Sequence, residues 1–217
     1  MASSFEPGAN LAVKLALIGA GAILVTGMLW WWLGPRTEYA RFVGFPVTQP
    51  VPFSHEHHVG GLGIDCRFCH TSVEVSATAG MPPTYVCMTC HSQIWTNAEV
   101  LSPVRQSLAG NKPIVWNRVT KLPDYVFFNH GIHIAKGVGC SSCHGEIVRM
   151  QLTMKDKSLT MQFCLNCHRD PGPHLRPKDQ IYNTEWQRTT ETPPASRLLA
   201  QYHMGPRTLT DCSICHR

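Results

Sequence analysis

The hydrophobic pattern of the chain contains one long apolar segment, at residues 15–33. These 19 residues carry no charged side chain, and as a helix they would extend about 28 Å, close to the hydrocarbon thickness of a bilayer. Three consecutive tryptophans at 30–32 suit the membrane interface, and Pro35 ends the segment there. A cleaved signal peptide is the alternative, but no convincing small-x-small cleavage site follows. The pattern therefore predicts an N-terminal segment at 1–14 and a transmembrane helix over 15–35.

The remaining residues, 36–217, contain only short apolar segments. The 16 prolines and 17 glycines of the chain interrupt any longer periodicity, which predicts short helices joined by long irregular connections. Such a chain buries little side-chain core by itself. We therefore expect a bound apolar group to supply part of the core.

All ten cysteines occur in five copies of the motif Cys-x-x-Cys-His. The cysteine pairs are Cys66/Cys69, Cys87/Cys90, Cys140/Cys143, Cys164/Cys167 and Cys212/Cys215, and the histidines that follow them are His70, His91, His144, His168 and His216. Thiols three residues apart lie about one helical turn apart, so each can form a thioether to a haem vinyl group, and the next histidine can bind the iron as proximal ligand. The sequence therefore predicts five c-type haems, numbered here as sites 1 to 5 in chain order.

Two other uses of Cys-x-x-Cys fit less well. Structural zinc sites need pairs of such pairs, whereas the chain has an odd number of them, each followed by histidine. Disulfide redox chemistry usually employs one pair and would leave the five histidines unexplained. Haem attachment accounts for every cysteine.

A sequence repeat upstream of two attachment sites predicts the distal iron ligands. Phe53-Ser54-His55-x-x-His58 precedes site 1, and Phe128-Asn129-His130-x-x-His133 precedes site 3. Two histidines three residues apart on a short helix point in neighbouring directions, so one pair can serve two adjacent haems. We expect His55, His58, His130 and His133 to be distal ligands. His57 has no counterpart in the second copy and is given no ligand role.

The fifth distal ligand is left open by the sequence. The candidates near haem motifs are Met150, Met154, Met161, Met204, His174 and His203. A His/Met haem has a higher potential than a bis-His haem, which would suit the last site of a downhill chain. Met161 or Met150 is favoured, although packing against porphyrin is the simpler role for any single methionine.

The charge balance requires no nucleic-acid partner. The formal charge is +5, but five haems would add about ten propionate charges. Lys14 before the apolar segment and Arg36 and Arg41 after it would weakly place the C-terminal side in the cytoplasm. Covalent haem attachment takes place outside the cytoplasmic membrane, so we expect residues 36–217 on the periplasmic or outer face of a bacterial inner membrane.

Two resemblances extend this interpretation. The paired histidines resemble those of small multihaem cytochromes of the triheme and tetraheme class, which implies that His55 serves site 1, His58 site 2 or 3, His130 site 3, and His133 site 4 or another late site. This resemblance implies a mostly irregular and α-helical multihaem cytochrome c, with modules at about 53–91 and 128–168 and the final haem at 200–217.

The second resemblance is to a named subunit. The segments 128–145 and 159–169, with the shorter stretches 79–82, 113–119 and 122–124, resemble the membrane-anchored pentahaem cytochrome subunit of alternative complex III. This resemblance implies a quinol-oxidising respiratory or photosynthetic complex. Its expected partners are an iron–sulfur subunit, quinone-binding integral membrane subunits and a monohaem cytochrome.

Two functions from different classes follow. In the first, the chain is a relay with no catalytic site of its own, and it carries electrons from the quinol-oxidising part of the complex to a periplasmic acceptor. In the second, it oxidises quinol itself, similar to membrane-anchored tetrahaem cytochromes, with Glu56 or His57 as conceivable proton acceptors. A nitrite-type reductase is disfavoured because no attachment motif replaces its histidine with lysine. The relay is favoured.

Overall fold

The computed structural model describes residues 8–204 and 209–216. The α-helices in these ranges are α1 (Ala9–Leu33), α2 (Cys66–Cys69), α3 (Thr84–His91), α4 (Ser102–Ala109), α5 (His130–Ala135), α6 (Ser141–His144), α7 (Met161–Arg169), α8 (Ala195–Gln201) and α9 (Cys212–Cys215). A π-helix spans Glu56–Gly61. The 3-10 helices are Gly34–Arg36, Tyr39–Arg41, Glu99–Leu101, Ile147–Arg149, Gly172–His174 and Lys178–Gln180. Within these ranges there is no β-strand, only isolated bridges such as Val126 with His216. The expected mostly helical and irregular class is confirmed.

The described residues form two compact units, one ending at Val43 and the other beginning at Gly44. In the first unit, α1 starts six residues before the predicted apolar segment and includes Lys14, since a lysine is a good helix former and does not interrupt it. The helix ends at Gly34, whose backbone N–H donates to the carbonyl of Trp30. Within the 28 residues from Ala9 to Arg36, the mean hydropathy of an 18-residue window reaches 2.0, so their length and composition allow a membrane span, as they would allow a signal sequence.

In the second unit, every attachment motif lies on or at the edge of a short helix. The cysteine pairs lie on α2, α3, α7 and α9 or at the start of α6. These helices are four to nine residues long, as the pattern of proline and glycine predicted. Helix α4 begins at Ser102, with Pro103 in its first turn, and ends at Ala109, with Gly110 as its C-cap.

The side-chain core of the second unit is small and divided. Buried apolar residues form three separate clusters, centred on Val104, Ile134 and Leu198. Ten apolar residues in all are buried among those described. Several large apolar side chains beside the attachment motifs are exposed instead, including Phe68 at 48% and Trp95 at 64%. The protein chain alone leaves its core incomplete around the cysteines, which fits the expectation of a bound apolar group.

Candidate haem sites

Local sequence fixes the helices that carry the cysteines. Asp65 caps α2, its carboxylate accepting from the backbone N–H of Arg67 at 2.8 Å, and Thr160 caps α7 by accepting from Phe163 at 3.3 Å. Because the second cysteine of each pair follows the first by three residues, both thiols lie on one side of the helix. None of the ten cysteines is in a disulfide. Each pair is therefore available for two thioether bonds.

Four proximal histidines are oriented by backbone carbonyls. Nδ1 lies near a carbonyl oxygen in the pairs His70–Gly80 at 2.8 Å, His91–Ile94 at 3.1 Å, His168–Leu209 at 2.8 Å and His216–Tyr125 at 3.1 Å. A carbonyl oxygen can only accept, so Nδ1 carries the proton and donates. Nε2 then holds the free lone pair, which is the nitrogen an iron would take.

The predicted distal histidines have the same arrangement in both copies of the repeat. His58 donates from Nδ1 to the carbonyl of Ser54 at 2.8 Å, and His133 donates to the carbonyl of Asn129 at 2.7 Å. The preceding phenylalanine stacks on the second histidine of each pair, at 4.4 Å between ring centroids in the first copy and 4.3 Å in the second. The repeat in the sequence is therefore a repeat in structure.

The first histidine of each pair is fixed by a residue far away in the chain. His55 Nδ1 lies 3.1 Å from the hydroxyl of Thr153, and His130 Nδ1 donates to the carbonyl of Ala77 at 2.9 Å. The phenylalanine of the repeat meets these rings edge-on, at 4.9 Å in the first copy and 4.7 Å in the second. Of the nine predicted histidine ligands, eight thus have Nδ1 held by an oxygen atom.

Three distal histidines face a proximal histidine at a nearly constant separation. The ring centroids are 6.1 Å apart for His58 and His91, 6.4 Å for His130 and His144, and 6.2 Å for His133 and His168. An imidazole nitrogen lies about 2.0 Å from the metal that it binds and the ring centre roughly 1.2 Å further away, so two imidazoles on opposite sides of one iron have centroids roughly 6.4 Å apart. The three pairs fit the axial ligands of sites 2, 3 and 4.

His55 lies in the electrostatic environment of sites 1 and 3. Burial, followed by the neighbouring rings of His70, His58 and His144, lowers the pKa of His55 to about 4. Of these rings, His70 has the largest effect. Burial also lowers the pKa of His58, His133 and His144. Lower pKa values keep these imidazoles neutral near pH 7, which is the state that can bind a metal.

Site 5 has different surroundings. The ring of Tyr125 stacks against His216 at 5.8 Å, and the Tyr125 carbonyl accepts from its Nδ1. Of the two favoured methionines, Met150 is buried, at 5% exposure, and its carbonyl accepts from the backbone N–H of Glu56. Met161, at the start of α7, is 63% exposed.

Burial separates the predicted ligands from the other histidines. All nine predicted histidine ligands are half-buried, whereas His57, His174 and His203 are exposed. Among residues 8–204 and 209–216, no group of three or more His, Cys, Asp and Glu side chains is arranged to hold a metal ion. A haem iron needs only two axial ligands from the chain, because the porphyrin supplies the rest.

The attachment cysteines approach one another in an order that differs from chain order. Burial raises the pKa of four of these thiols, those of Cys69, Cys140, Cys143 and Cys164. For each of them, a nearby thiol of another site raises the pKa further. The neighbours are Cys87 for Cys69, Cys66 for Cys140, Cys167 and Cys164 for Cys143, and Cys215 for Cys164. For Cys140 and Cys143 the pKa rises to about 11. The spatial order is therefore 2, 1, 3, 4, 5.

Two predicted attachment cysteines differ from the others in exposure. Cys90 at site 2 and Cys212 at site 5 are exposed, whereas the other eight cysteines are partly buried. At Cys90 the Thr89 hydroxyl lies 3.9 Å from Sγ. The other cysteines of the same two motifs, Cys87 and Cys215, are partly buried. An exposed thiol can still form a thioether, so Cys90 and Cys212 remain predicted attachment residues.

The two copies of the repeat also pack on each other reciprocally. Helix α5 of the second copy contacts the segment after site 1, where the backbone N–H of Gly131 donates to Ser76 at 3.0 Å. The π-helix of the first copy contacts the segment after site 3, where Glu56 donates to Met150 at 3.1 Å. Side chains are excluded at both contacts: a Cβ on Gly131 would lie 2.8 Å from the Glu74 carbonyl, and one on Gly60 would lie 2.5 Å from the Val148 carbonyl.

Sequence reasoning missed the groups that orient the ligands. Six of the eight acceptors of the histidine Nδ1 atoms belong to residues outside the repeated phenylalanine-histidine segments, as at Gly80 and Thr153. Gly80 has φ +76°, and a Cβ there would lie 2.7 Å from the Ser72 hydroxyl. A glycine ten residues after the haem histidine was the available signal. Thr153 gave no signal, because its contact with His55 spans 98 residues.

Comparison with known proteins agrees with this chemistry. Residues 126–217 match the family described as cytochrome c7 and related cytochrome c. This part of the chain is therefore similar to multihaem cytochrome c7 domains, which carry c-type haems and transfer electrons.

A curated relative covers more of the chain. It is the menaquinone reductase, multiheme cytochrome c subunit, of Nitratidesulfovibrio vulgaris (strain Hildenborough), and it is 34% identical over 128 residues. The match covers 58% of this chain and 56% of the relative. The chain thus spans little more than half the length of this relative.

Proposed function

We propose that this chain is a pentahaem electron relay of a quinone-linked membrane complex similar to alternative complex III. Bound haem supplies reversible one-electron chemistry between ferric and ferrous iron. The chain itself supplies thioether attachment, axial ligands and the spacing between sites. The separation of 6.1–6.4 Å between three pairs of proximal and distal histidines carries the proposal. It leaves room for one iron between each pair and for no substrate.

The proposed ligands follow from the ring pairs. Sites 2, 3 and 4 take the pairs His58/His91, His130/His144 and His133/His168. Site 1 takes His70 and His55, supported by the effect of His70 on the pKa of His55, which is the largest among the neighbouring rings. With both axial positions filled by imidazole, these sites are suited to electron transfer rather than to substrate binding.

For site 5 we propose His216 and Met161. Met161 lies three residues before Cys164 on α7. The thiol of Cys215 at site 5 raises the pKa of Cys164, so the two thiols are neighbours. The exposed thioether of Met161 is free to bind, whereas Met150 is buried beside the π-helix of the first copy. Methionine ligation would give this site the highest potential of the five.

The spatial order of the cysteines supports sites 2 and 5 as the opposite ends of the proposed relay. The junction of sites 1 and 3 is supported by packing as well as by the approach of Cys66 to Cys140, because Val73 and Cys140 contact one apolar cluster. The junction of sites 4 and 5 is supported by the bond from His168 to the Leu209 carbonyl. Electrons delivered at one end would leave at the other, and the exposed thiols of Cys90 and Cys212 lie at these two ends.

The named relative supports a quinone-linked complex, but its name describes quinone reduction rather than quinol oxidation. The proposed partners are an iron–sulfur subunit, quinone-binding membrane subunits and a monohaem cytochrome. With α1 as anchor, the haem sites would lie on the periplasmic face of the inner membrane, where c-type haem attachment takes place.

Two measurements test the proposal. The mass of the purified chain should exceed the polypeptide mass by five haem groups, and a smaller increase would contradict the haem count. Stopped-flow haem reduction by a quinol analogue should then be compared for the chain alone in detergent and the chain in its native membrane assembly. Reduction that occurs only in the assembly, and that inhibitors of a partner's quinone site abolish, is the expected result.

One observation favours direct quinol oxidation as the second candidate. An open cavity of about 510 Å³ is lined by Ser54, Glu56, His57, Gly61, Gln151 and Leu152. Glu56 and His57, the first two residues of the π-helix that follows His55, would supply proton acceptors there. Fast reduction of the isolated chain by quinol, lost in the Glu56→Gln variant, would establish this function in place of the relay.

A further inference from the structure

A buried arginine lies beside site 3. Arg176 is 6% exposed. Its Nη1 donates to the Asn183 carbonyl and its Nη2 to the Ser141 hydroxyl, both at 2.6 Å, and its guanidinium lies 5.0 Å from the ring centroid of Trp186. The Arg176 carbonyl accepts from the hydroxyl of Tyr202 at 2.6 Å. The charged group is therefore held in one position.

No carboxylate balances this charge within residues 8–204 and 209–216. The ion pairs there are made by Arg67, Arg149 and Lys157. The acceptors of the Arg176 guanidinium are neutral oxygens of Gln180, Asn183 and Ser141. Buried charges in proteins are normally paired, since removing a charge from water is costly. A structural role alone does not account for a cation at this position.

The guanidinium is in contact with the attachment motif itself. Ser141 is the residue between Cys140 and Cys143 that accepts from Nη2. Gly139 precedes Cys140, and a Cβ at that position would lie 2.2 Å from Nε of Arg176. Any other residue at 139 would displace the arginine. The glycine thus lets the positive charge approach the polypeptide at the point of haem attachment.

From this geometry we infer that Arg176 raises the reduction potential of site 3. The inference rests on the proposed haem at Cys140 and Cys143. Ferric iron carries one more positive charge than ferrous iron, so a fixed cation nearby destabilises the oxidised form. The effect on the potential is strong because the charge is buried and no carboxylate of the described residues pairs with it. Site 3 is the middle site of the spatial order, so its potential affects electron transfer to and from both neighbouring sites.

The test is a redox titration of the holoprotein with its full set of haems. Arg176→Gln should lower the reduction potential of one haem component. At a fixed ambient potential, the ratio of oxidised to reduced haem at that component should rise on the order of tenfold, which corresponds to about 59 mV for one electron. Arg176→Lys should leave the reduction potential of this component close to its wild-type value, because lysine keeps the positive charge. The matched control is Arg188→Gln, because Arg188 lies 5.8 Å from the same Trp186 ring and donates to backbone carbonyls, but is exposed. It should leave every component unchanged.

A second pair of variants keeps the arginine in place. Ser141→Asp puts a carboxylate against Nη2 and should lower the same component, whereas Ser141→Asn should not. If Arg176→Gln does not accumulate, this pair decides the matter. Each variant is also combined with His130→Ala, which alters the absorption spectrum of site 3. This combination shows whether the component with the shifted potential is site 3.

Two results would overturn the inference: unchanged potentials in both Arg176→Gln and Ser141→Asp, or an equal shift in Arg188→Gln. Haem content and low-spin absorption are measured on the same samples. Fewer than five haems in the wild-type chain would instead contradict the proposed function, so the two failures are distinguishable.

Discussion

The sharpest prediction concerns the replacement of His133 by alanine. The His133 ring lies 6.2 Å from that of His168, and it is the proposed distal ligand of site 4. The thioethers of Cys164 and Cys167 do not depend on it. The variant should therefore keep all of its haems, while one iron loses its sixth ligand and changes from low spin to high spin.

The magnitude follows from the number of sites. With five attachment motifs in the chain, about one fifth of the low-spin absorption should be lost and replaced by a high-spin signal. The cavity left by the ring is bordered by Phe128, which stacks on His133 at 4.3 Å. Added imidazole should enter this cavity and restore the low-spin spectrum.

The assay is visible absorption and electron paramagnetic resonance of the purified variant, with haem content measured in parallel. His57→Ala is the matched control, because His57 lies beside His58 but is exposed. It should leave the spectrum unchanged. An unaltered low-spin spectrum in His133→Ala, or the loss of two components at once, would refute the one-to-one pairing of His133 with His168.

Three further predictions concern potential, stability and pH. Met161→His should lower the potential of one haem, since bis-His haems have lower potentials than His/Met haems; a redox titration without a shifted component would exclude Met161. Gly137→Ala should lower the free energy of unfolding, measured by chemical denaturation, by about 2–5 kcal/mol, because left-handed strain and overpacking combine. At Gly137 φ is +79°, and a Cβ would lie 2.2 Å from the Tyr202 ring. The control Gly44→Ala, at φ +81° with nothing within 4 Å, should lower the free energy of unfolding by only about 1–2 kcal/mol. Because the pKa of His55 is lowered to about 4, its ring should stay neutral below the ordinary pKa of about 6.5, and site 1 should stay low spin until the pH approaches 4. The stability that accompanies the neutral ring is fully present above about pH 6.5 and should decrease as the pH falls from there to about 4, because the unfolded chain takes up the proton first. An acid titration that loses the low-spin component of site 1 already near pH 6.5 would contradict the assignment.

Local signals in the sequence predicted the parts of the site that local structure determines. The spacing of Cys66 and Cys69 needs only one helical turn, and the spacing of His130 and His133 needs only a short helix, so both could be inferred from the residues alone. The small core was also predictable from the scarcity of long apolar segments. Each of these features depends on residues within a few positions of one another.

The partners of the distal histidines could not be predicted in the same way. His130 faces His144, which is 14 residues later, but His58 faces His91, which is 33 residues later and beyond the whole of site 1. These pairings depend on how segments distant in sequence pack. Arg176 gave no signal either, because its importance comes from a burial that appears only when the segment after α7 folds against Gly139.

The exposure of Cys90 could not be predicted from the sequence either. Its motif is the same as that of Cys143, which is partly buried. Local spacing predicts that a cysteine can carry haem, but it does not predict how far the polypeptide encloses that cysteine.

The reciprocal packing of the two repeats has a consequence for the order of maturation. A chain that is delivered N-terminus first presents Cys66, Cys69 and His70 early. The group that orients His55 is Thr153, which arrives only after the motif of site 3 has passed. Thioether formation at site 1 can therefore precede completion of its axial coordination. The earliest haem to be attached would be among the later ones to be fully enclosed, and release of a truncated chain before Thr153 would leave it exposed.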